Sequence, residues 1–385
     1  MVDSYYKRNV RPHRWRGIPA KCAEFVRKNT VFVIAVVLAV LTSIAVPPDS
    51  RYIGYFDFKT LTCLFCTLAV ICTLKNVKFF TKLAEKIVSL AGNARMAILM
   101  LVCITFVGSM LIANDMALLT FLPLGYYLLS STGKEKYMAY TFVLQNIAAN
   151  LGGMLTPFGN PQNLYIYEKY GIANAEFVRI MFPPFALAVT LIFLCCLPIK
   201  KEKLSLKHRD FSPLPKAKTA AYLMLFAFSV ALVFRIVPYY VGLLLIPLAL
   251  LFLDRKALRD VDYILLLTFV AFFIFAGNMS RIGVVREFLS SLLEKNTLVF
   301  SVLSCQFISN VPSAILLSQF TENYRERLVG VNIGGTGTVI ASLASLITLK
   351  EYASHGGSVR KYFAVFSALN FGFLAVMLVF CSIIV

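Results

Sequence analysis

The chain has 385 residues, 59% of them hydrophobic and 15% charged, a balance too apolar for an ordinary soluble domain. The apolar residues are grouped into stretches that approach the roughly 20 needed to span a bilayer's hydrocarbon core, which makes this a polytopic membrane protein. The formal charge of +19 could suggest nucleic acid, but 28 of the 38 Lys and Arg fall on segments that share one side, so the charge is read as topology and no nucleic-acid partner is expected.

In chain order, residues 1–29 form a basic tail, cytoplasmic by the positive-inside rule. The tail is not read as a cleaved signal, because its basic region is long and VPPDSRY after the first apolar stretch lacks a small-x-small pattern. A first transmembrane half, 30–199, contains spans at 30–47, 58–74 and 176–199, an interfacial helix at 75–93, an apolar hairpin at 97–131 and an interrupted span at 137–165. Residues 200–217 are a charged cytoplasmic linker. The second half, 218–385, has spans at 218–236, 238–253, 261–277 and 361–385, an interfacial helix at 281–295, a hairpin at 297–320 and an interrupted span at 328–350.

The second hairpin leaves about 12 residues per arm, too few for two crossings at about 1.5 Å per residue, so it should enter and leave on the same side. The first hairpin is longer, and either reading of it adds an even number of crossings. About nine spans plus two hairpins then put the amino terminus in the cytoplasm and the carboxyl terminus outside a plasma (inner) membrane.

Most of the nine cysteines lie in apolar segments. The CxxC of Cys63 and Cys66 sits in LTCLFCTLAVICTL and reads as small buried hydrophobes. His13, His208 and His355 show no metal-ligand spacing, and no cofactor is expected.

The two halves repeat. Asp57 and Asp262 each open a span; an interfacial helix, a broken hairpin, a glycine-rich interrupted span and an unbroken span follow. The hairpin centres read LIANDMALLTFLPL (111–124) and QFISNVPSAILLSQF (306–320). The interrupted spans read ANLGGMLTPFGNPQNL (149–164) and VNIGGTGTVIASLASL (331–346), which share N-[LI]-G-G at positions 182 apart. The charge placement starts the halves on opposite sides, so the repeats are expected to be inverted.

Hydrocarbon offers no hydrogen-bond partner, so irregular backbone at membrane depth must line a cavity or pack in protein. Inverted repeats with discontinuous helices place such breaks at a substrate site near the midplane. Gly152, Gly153, Gly334 and Gly335 permit non-helical angles, and Pro157 and Pro161 block helix continuation. Unwound carbonyls suit a cation, and the following half-helix N-terminus suits an anion. Asn150, Thr156, Asn160, Gln162, Asn163, Asn332, Thr336 and Thr338 supply neutral donors and acceptors there. Asn114-Asp115 and Ser309-Asn310 should sit at the hairpin tips and complete the substrate site. Asp115 is the carboxylate expected at membrane depth, as a cation ligand, a proton carrier or a helix cap. Asn114, Asn310, Asn150 and Asn332 are the other candidate coupling-ion residues, with sodium possible at the tips. Ser309-Asn310 before Pro312 also reads as a plain N-cap. No buried arginine or lysine is expected.

ANLGGMLTPFGNPQNLYIY, IANDMALLTFLPL and VNIGGTGTVIASLASLITL resemble segments of the ion transporter superfamily, which includes arsenite permeases, sodium/proton antiporters, citrate transporters and divalent-anion/sodium symporters. The ordering of elements extends the resemblance over about residues 30–385. It implies an elevator-type carrier, usually a homodimer, in which hairpins and broken spans slide against a fixed scaffold. In the divalent-anion symporters a Ser-Asn-Thr at each tip binds sodium and substrate carboxylate. This chain has Ala113-Asn114-Asp115 and Ser309-Asn310-Val311, so the asparagines carry over while most of the hydroxyls do not.

The residues themselves point to a secondary carrier of a small-molecule or inorganic anion coupled to sodium or protons. Arsenite or antimonite efflux and sodium/proton antiport are the alternatives. An enzyme or self-contained pump is disfavoured, since GGTGTVIA (334–341) lacks the lysine of a nucleotide-binding loop, although a separate ATPase subunit is left open.

Overall fold

The computed structural model describes residues 24–26, 29–204 and 214–384, so most of the basic tail and the middle of the linker, with His13 and His208, lie outside the described residues. Among the described residues the chain is all-helical, and its one extended pairing is an isolated bridge between Asn93 and Lys203.

Among the described residues, six helical segments are long and apolar enough to cross a membrane: Phe58–Asn76, Ala94–Ile112, Asn174–Cys196, Lys216–Val233, Arg255–Arg281 and Val359–Ile384. Thr30–Ala45 and Tyr239–Leu253 are shorter apolar helices. The remaining two expected spans are interrupted in the places the sequence indicates, as Met138–Gly152 then Pro161–Lys169, and as Tyr324–Ile333 then Leu343–Ser354. Ala94–Ile112, the first arm of the first hairpin, is itself 19 residues long. Its partner arm is Asn114–Ser131, whereas the second hairpin pairs the much shorter Thr297–Ile308 and Asn310–Leu317.

Local chemistry sets the helix starts. Asp57 accepts from the Thr60 N–H at 3.0 Å and Asp262 from that of Leu265 at 2.9 Å, so each acid caps the span it opens. In Phe79–Val88 the buried residues are Phe80, Ala84 and Val88, one helical face at four-residue spacing. Gly283–Lys295 buries Leu293 and exposes Val284 and Phe288.

At the start of the linker, Glu202 accepts from Lys134, Lys136 and Tyr137, and these donors hold its carboxyl down at about 2. The broken spans pack on the hairpins at closest backbone approach. A Cβ on Gly152 would stand 2.3 Å from the Phe106 carbonyl oxygen, and one on Gly334 would stand 2.9 Å from Cys305 Sγ. Cys63 and Cys66 are buried, free thiols, as expected of packing residues.

Candidate functional site

Each hairpin turns on a single residue. Ala113 has φ 65° and ψ 154°, and Ser309 has φ 72° and ψ 159°. This part of backbone space is essentially reserved for glycine, and holding another residue there costs of order 1–3 kcal/mol. The asparagine that follows each turn stabilises it: Asn114 Oδ1 accepts from the Asp115 N–H at 2.9 Å, and Asn310 Oδ1 from the Val311 N–H at 3.0 Å. The two amide nitrogens face the broken spans. Asn114 Nδ2 donates to Asn150 Oδ1 at 3.2 Å, and Asn310 Nδ2 lies 3.0 Å from where a Gly335 Cβ would stand.

The breaks leave buried carbonyls that need donors. In the first, Asn163 Nδ2 reaches the carbonyls of Gly153, Met154 and Thr156, each at 3.2 Å. In the second, Gln306 Nε2 donates to Gly334 O at 2.9 Å and Thr336 O at 3.2 Å, while its Oε1 accepts from the Thr338 N–H at 2.9 Å. Thr156 Oγ1 donates to Met110 O at 2.8 Å and Thr338 Oγ1 to Gln306 O at 3.1 Å, tying each break to its own hairpin. The carbonyls expected to hold a cation are thus largely taken up by amide side chains.

Side chains bond within the first half and join the two halves. Asn160 Nδ2 donates to Asn150 O and to Asn332 Oδ1, both at 3.2 Å. Ser342 Oγ donates to Asn150 Oδ1 at 2.8 Å. Asn332 Nδ2 donates to Asn163 Oδ1 at 2.6 Å, and Asn146 Nδ2 to Ser345 Oγ at 3.2 Å. Asn114, Asn150, Asn160, Asn163, Asn310 and Asn332 are all at most 4% exposed.

Between the tips lies a cavity. The tips contribute Asn114 and Asp115 on one side and Ser309 and Asn310 on the other, and the restarts of the broken spans contribute Pro161, Gln162, Ser342 and Leu343. Its opposite wall is largely apolar, with Leu265, Phe269 and Phe272 from Tyr263–Arg281. Asn114, Asn310, Pro161 and Leu343 are each the first residue of a helix, so four helix N-termini meet at one chamber. Each brings about half a unit of positive charge, although within these first turns the N–H groups of Asp115, Val311 and Ala344 are bonded to nearby side chains and Pro161 and Pro312 have none. Asp115 Oδ1 and Gln162 Oε1 are buried there without a hydrogen-bond partner.

The expected site residues therefore divide in two. Asn114, Asp115, Gln162, Ser309 and Asn310 line the chamber. Asn150, Asn160, Asn163 and Asn332 stand behind it as the network that holds its walls. Gly152, Gly153, Gly334 and Gly335 provide close approach; Thr156, Thr336 and Thr338 bond to backbone carbonyls; Pro157 is buried in the first break. Ser309 does not act as a simple cap: its helix has no side-chain cap hydrogen bond, and Ser309 Oγ donates instead to Ala341 O at 3.3 Å, whereas Asp115 stands in the first turn of Asn114–Ser131, where the helix dipole favours an acid.

Asn146 and Ser345 of the network escaped the sequence reading, and so did three further residues. Ser342 is found by aligning the breaks on N-[LI]-G-G, which sets it opposite Asn160; Gln306 stands three residues before its tip, as Met110 does. The third is a correction: Arg327, placed outside the second broken span by its charge, is 0% exposed within Tyr324–Ile333.

Apolar helices enclosing a chamber built from helix breaks are the construction of a membrane transporter. The family model described as citrate transporter matches residues 20–323, and the chain belongs to that family. It is 32% identical to the uncharacterized transporter MJ0456 of Methanocaldococcus jannaschii, over 83% of this chain and 88% of that protein. It is 30% identical to the inner membrane protein YbiR of Escherichia coli, over 71% and 74%. An uncharacterized transporter of Synechocystis, slr0753, is 22% identical over 92% and 91%.

Proposed function

We propose that the protein is a secondary-active carrier of a small anion, a di- or tricarboxylate or an inorganic oxyanion, driven by a sodium or proton gradient. The observation that carries this reading is the meeting of four helix N-termini at one chamber. Asn114, Gln162, Asn310 and Ser342 add neutral polar groups there, and among the described residues no lysine or arginine lines it. An anion held by partial charges and amides is bound weakly enough to be released on the far side. Asp115, with an unpartnered oxygen at the same chamber, is the group for the coupling ion.

The two halves act as inverted repeats in this reading. The hairpins and broken spans, knitted together by amides, move as one body past the apolar wall of Leu265, Phe269 and Phe272. The carrier works as a homodimer in the plasma membrane, with the amino terminus inside and the carboxyl terminus outside.

The test is uptake into proteoliposomes under an imposed sodium or pH gradient, with citrate, succinate, sulfate, phosphate and arsenite as substrates. Gradient-driven accumulation of one anion is expected. If none accumulates while sodium and protons exchange, the protein is a sodium/proton antiporter, the reading that Asp115 by itself favours.

A further inference from the structure

We infer that Arg327 forms a second anion-binding site, apart from the chamber, for a single carboxylate or inorganic oxyanion. Arg327 lies on Tyr324–Ile333, five residues before Asn332, and does not line the chamber. It is 0% exposed. One face of its guanidinium lies 4.5 Å from the centre of the Tyr170 ring, and Nη1 donates to Thr321 O at 2.8 Å. Nε and Nη2 are buried without a partner.

Those two nitrogens form one edge of the guanidinium, with parallel N–H groups spaced to meet two oxygens of a carboxylate, sulfate or phosphate. Other arginines of the chain have their acids: Arg235 pairs with Glu168, Arg281 with Asp49 and Arg325 with Glu176. Arg327 is the more deeply buried, yet among the described residues it forms no ion pair. A buried cation is ordinarily paired, because an uncompensated charge in a low dielectric is costly.

The surroundings favour an anion from outside the chain. The exposed Lys169 brings a second positive charge, its Nζ 5.9 Å from the centre of the Tyr165 ring, and the Tyr165 hydroxyl lies 2.7 Å from Ser318 Oγ. Glu322, in an exposed loop, acts electrostatically on Lys169 and forms no ion pair with Arg327.

The test uses the purified full-length chain in detergent. Its melting midpoint is titrated with sodium phosphate, sulfate, acetate and citrate at constant sodium and ionic strength. At least one of these anions should raise the midpoint, and the rise should persist in an Asn114→Ala/Asn310→Ala variant, whose chamber is disabled. Arg327→Lys keeps the charge but loses the two-pronged edge and should bind about tenfold more weakly. Arg327→Gln should lose the effect; if it does not fold, the lysine variant carries the test. The proposal is overturned if no anion stabilises the wild-type chain, if Arg327→Lys binds as the wild type does, or if the chamber variant loses all stabilisation.

Discussion

The two hairpin tips share a backbone and differ in chemistry. Ala113 and Ser309 hold nearly the same φ and ψ, and the asparagine after each bonds the next N–H in the same way. Beyond that, the first tip carries a carboxylate where the second carries Val311. The breaks diverge as well. Asn163, on the restarting helix, satisfies the first, whereas Gln306, on the hairpin's first arm, satisfies the second. What is common to both halves is what presents helix N-termini to the chamber, and what differs is where the proposed coupling ion would act.

The largest effect expected is from removing the shared element. Asn114→Ala and Asn310→Ala should each abolish uptake in proteoliposomes with the protein still inserted. Normal uptake by either variant would break the equivalence of the tips. Next come the clamps that set the halves apart. Asn163→Leu strands carbonyls of the first break and removes the acceptor for Asn332, and should cost about 3 kcal/mol in detergent melting experiments. Gln306→Leu strands two carbonyls and one N–H of the second break and should cost about 2 kcal/mol.

A change in transport character rather than amount is expected at the differing position. Asp115→Asn should alter the pH or sodium dependence of uptake while leaving the preferred anion unchanged, and Val311→Thr should alter neither. An unchanged ion profile in Asp115→Asn would remove this carboxylate from coupling. The smallest effect is in the turns. Ala113→Gly should stabilise the protein by about 1 kcal/mol by relieving backbone strain. Ser309→Gly should gain less, because it also loses the bond to Ala341 O.

Much of this was legible in the sequence because hydrocarbon leaves few ways to hide a polar backbone. Glycine, proline and asparagine inside apolar stretches marked both breaks and both tips, and Asp57 and Asp262 marked helix starts that the structure retains. The sequence could not say which amides face the chamber. Asn332 and Gln162 look alike in the motif, yet one is bonded into the wall and the other lines the cavity. Nor could it place Arg327, since a charge at the edge of an apolar stretch reads as solvent-facing until the Tyr170 ring is seen over it. Residues that act through a distant segment, such as Ser342 on Asn150, left only the faint signal of the repeat.

The central claim is that an anion sits where the four helix starts meet. An experimental structure of the protein with its transported anion bound tests it most directly. Density for the anion should lie between Asn114 and Asn310, within reach of Gln162 and Ser342. Anion density elsewhere with this chamber empty, or hairpin tips standing apart from the restarts at Pro161 and Leu343, would contradict it.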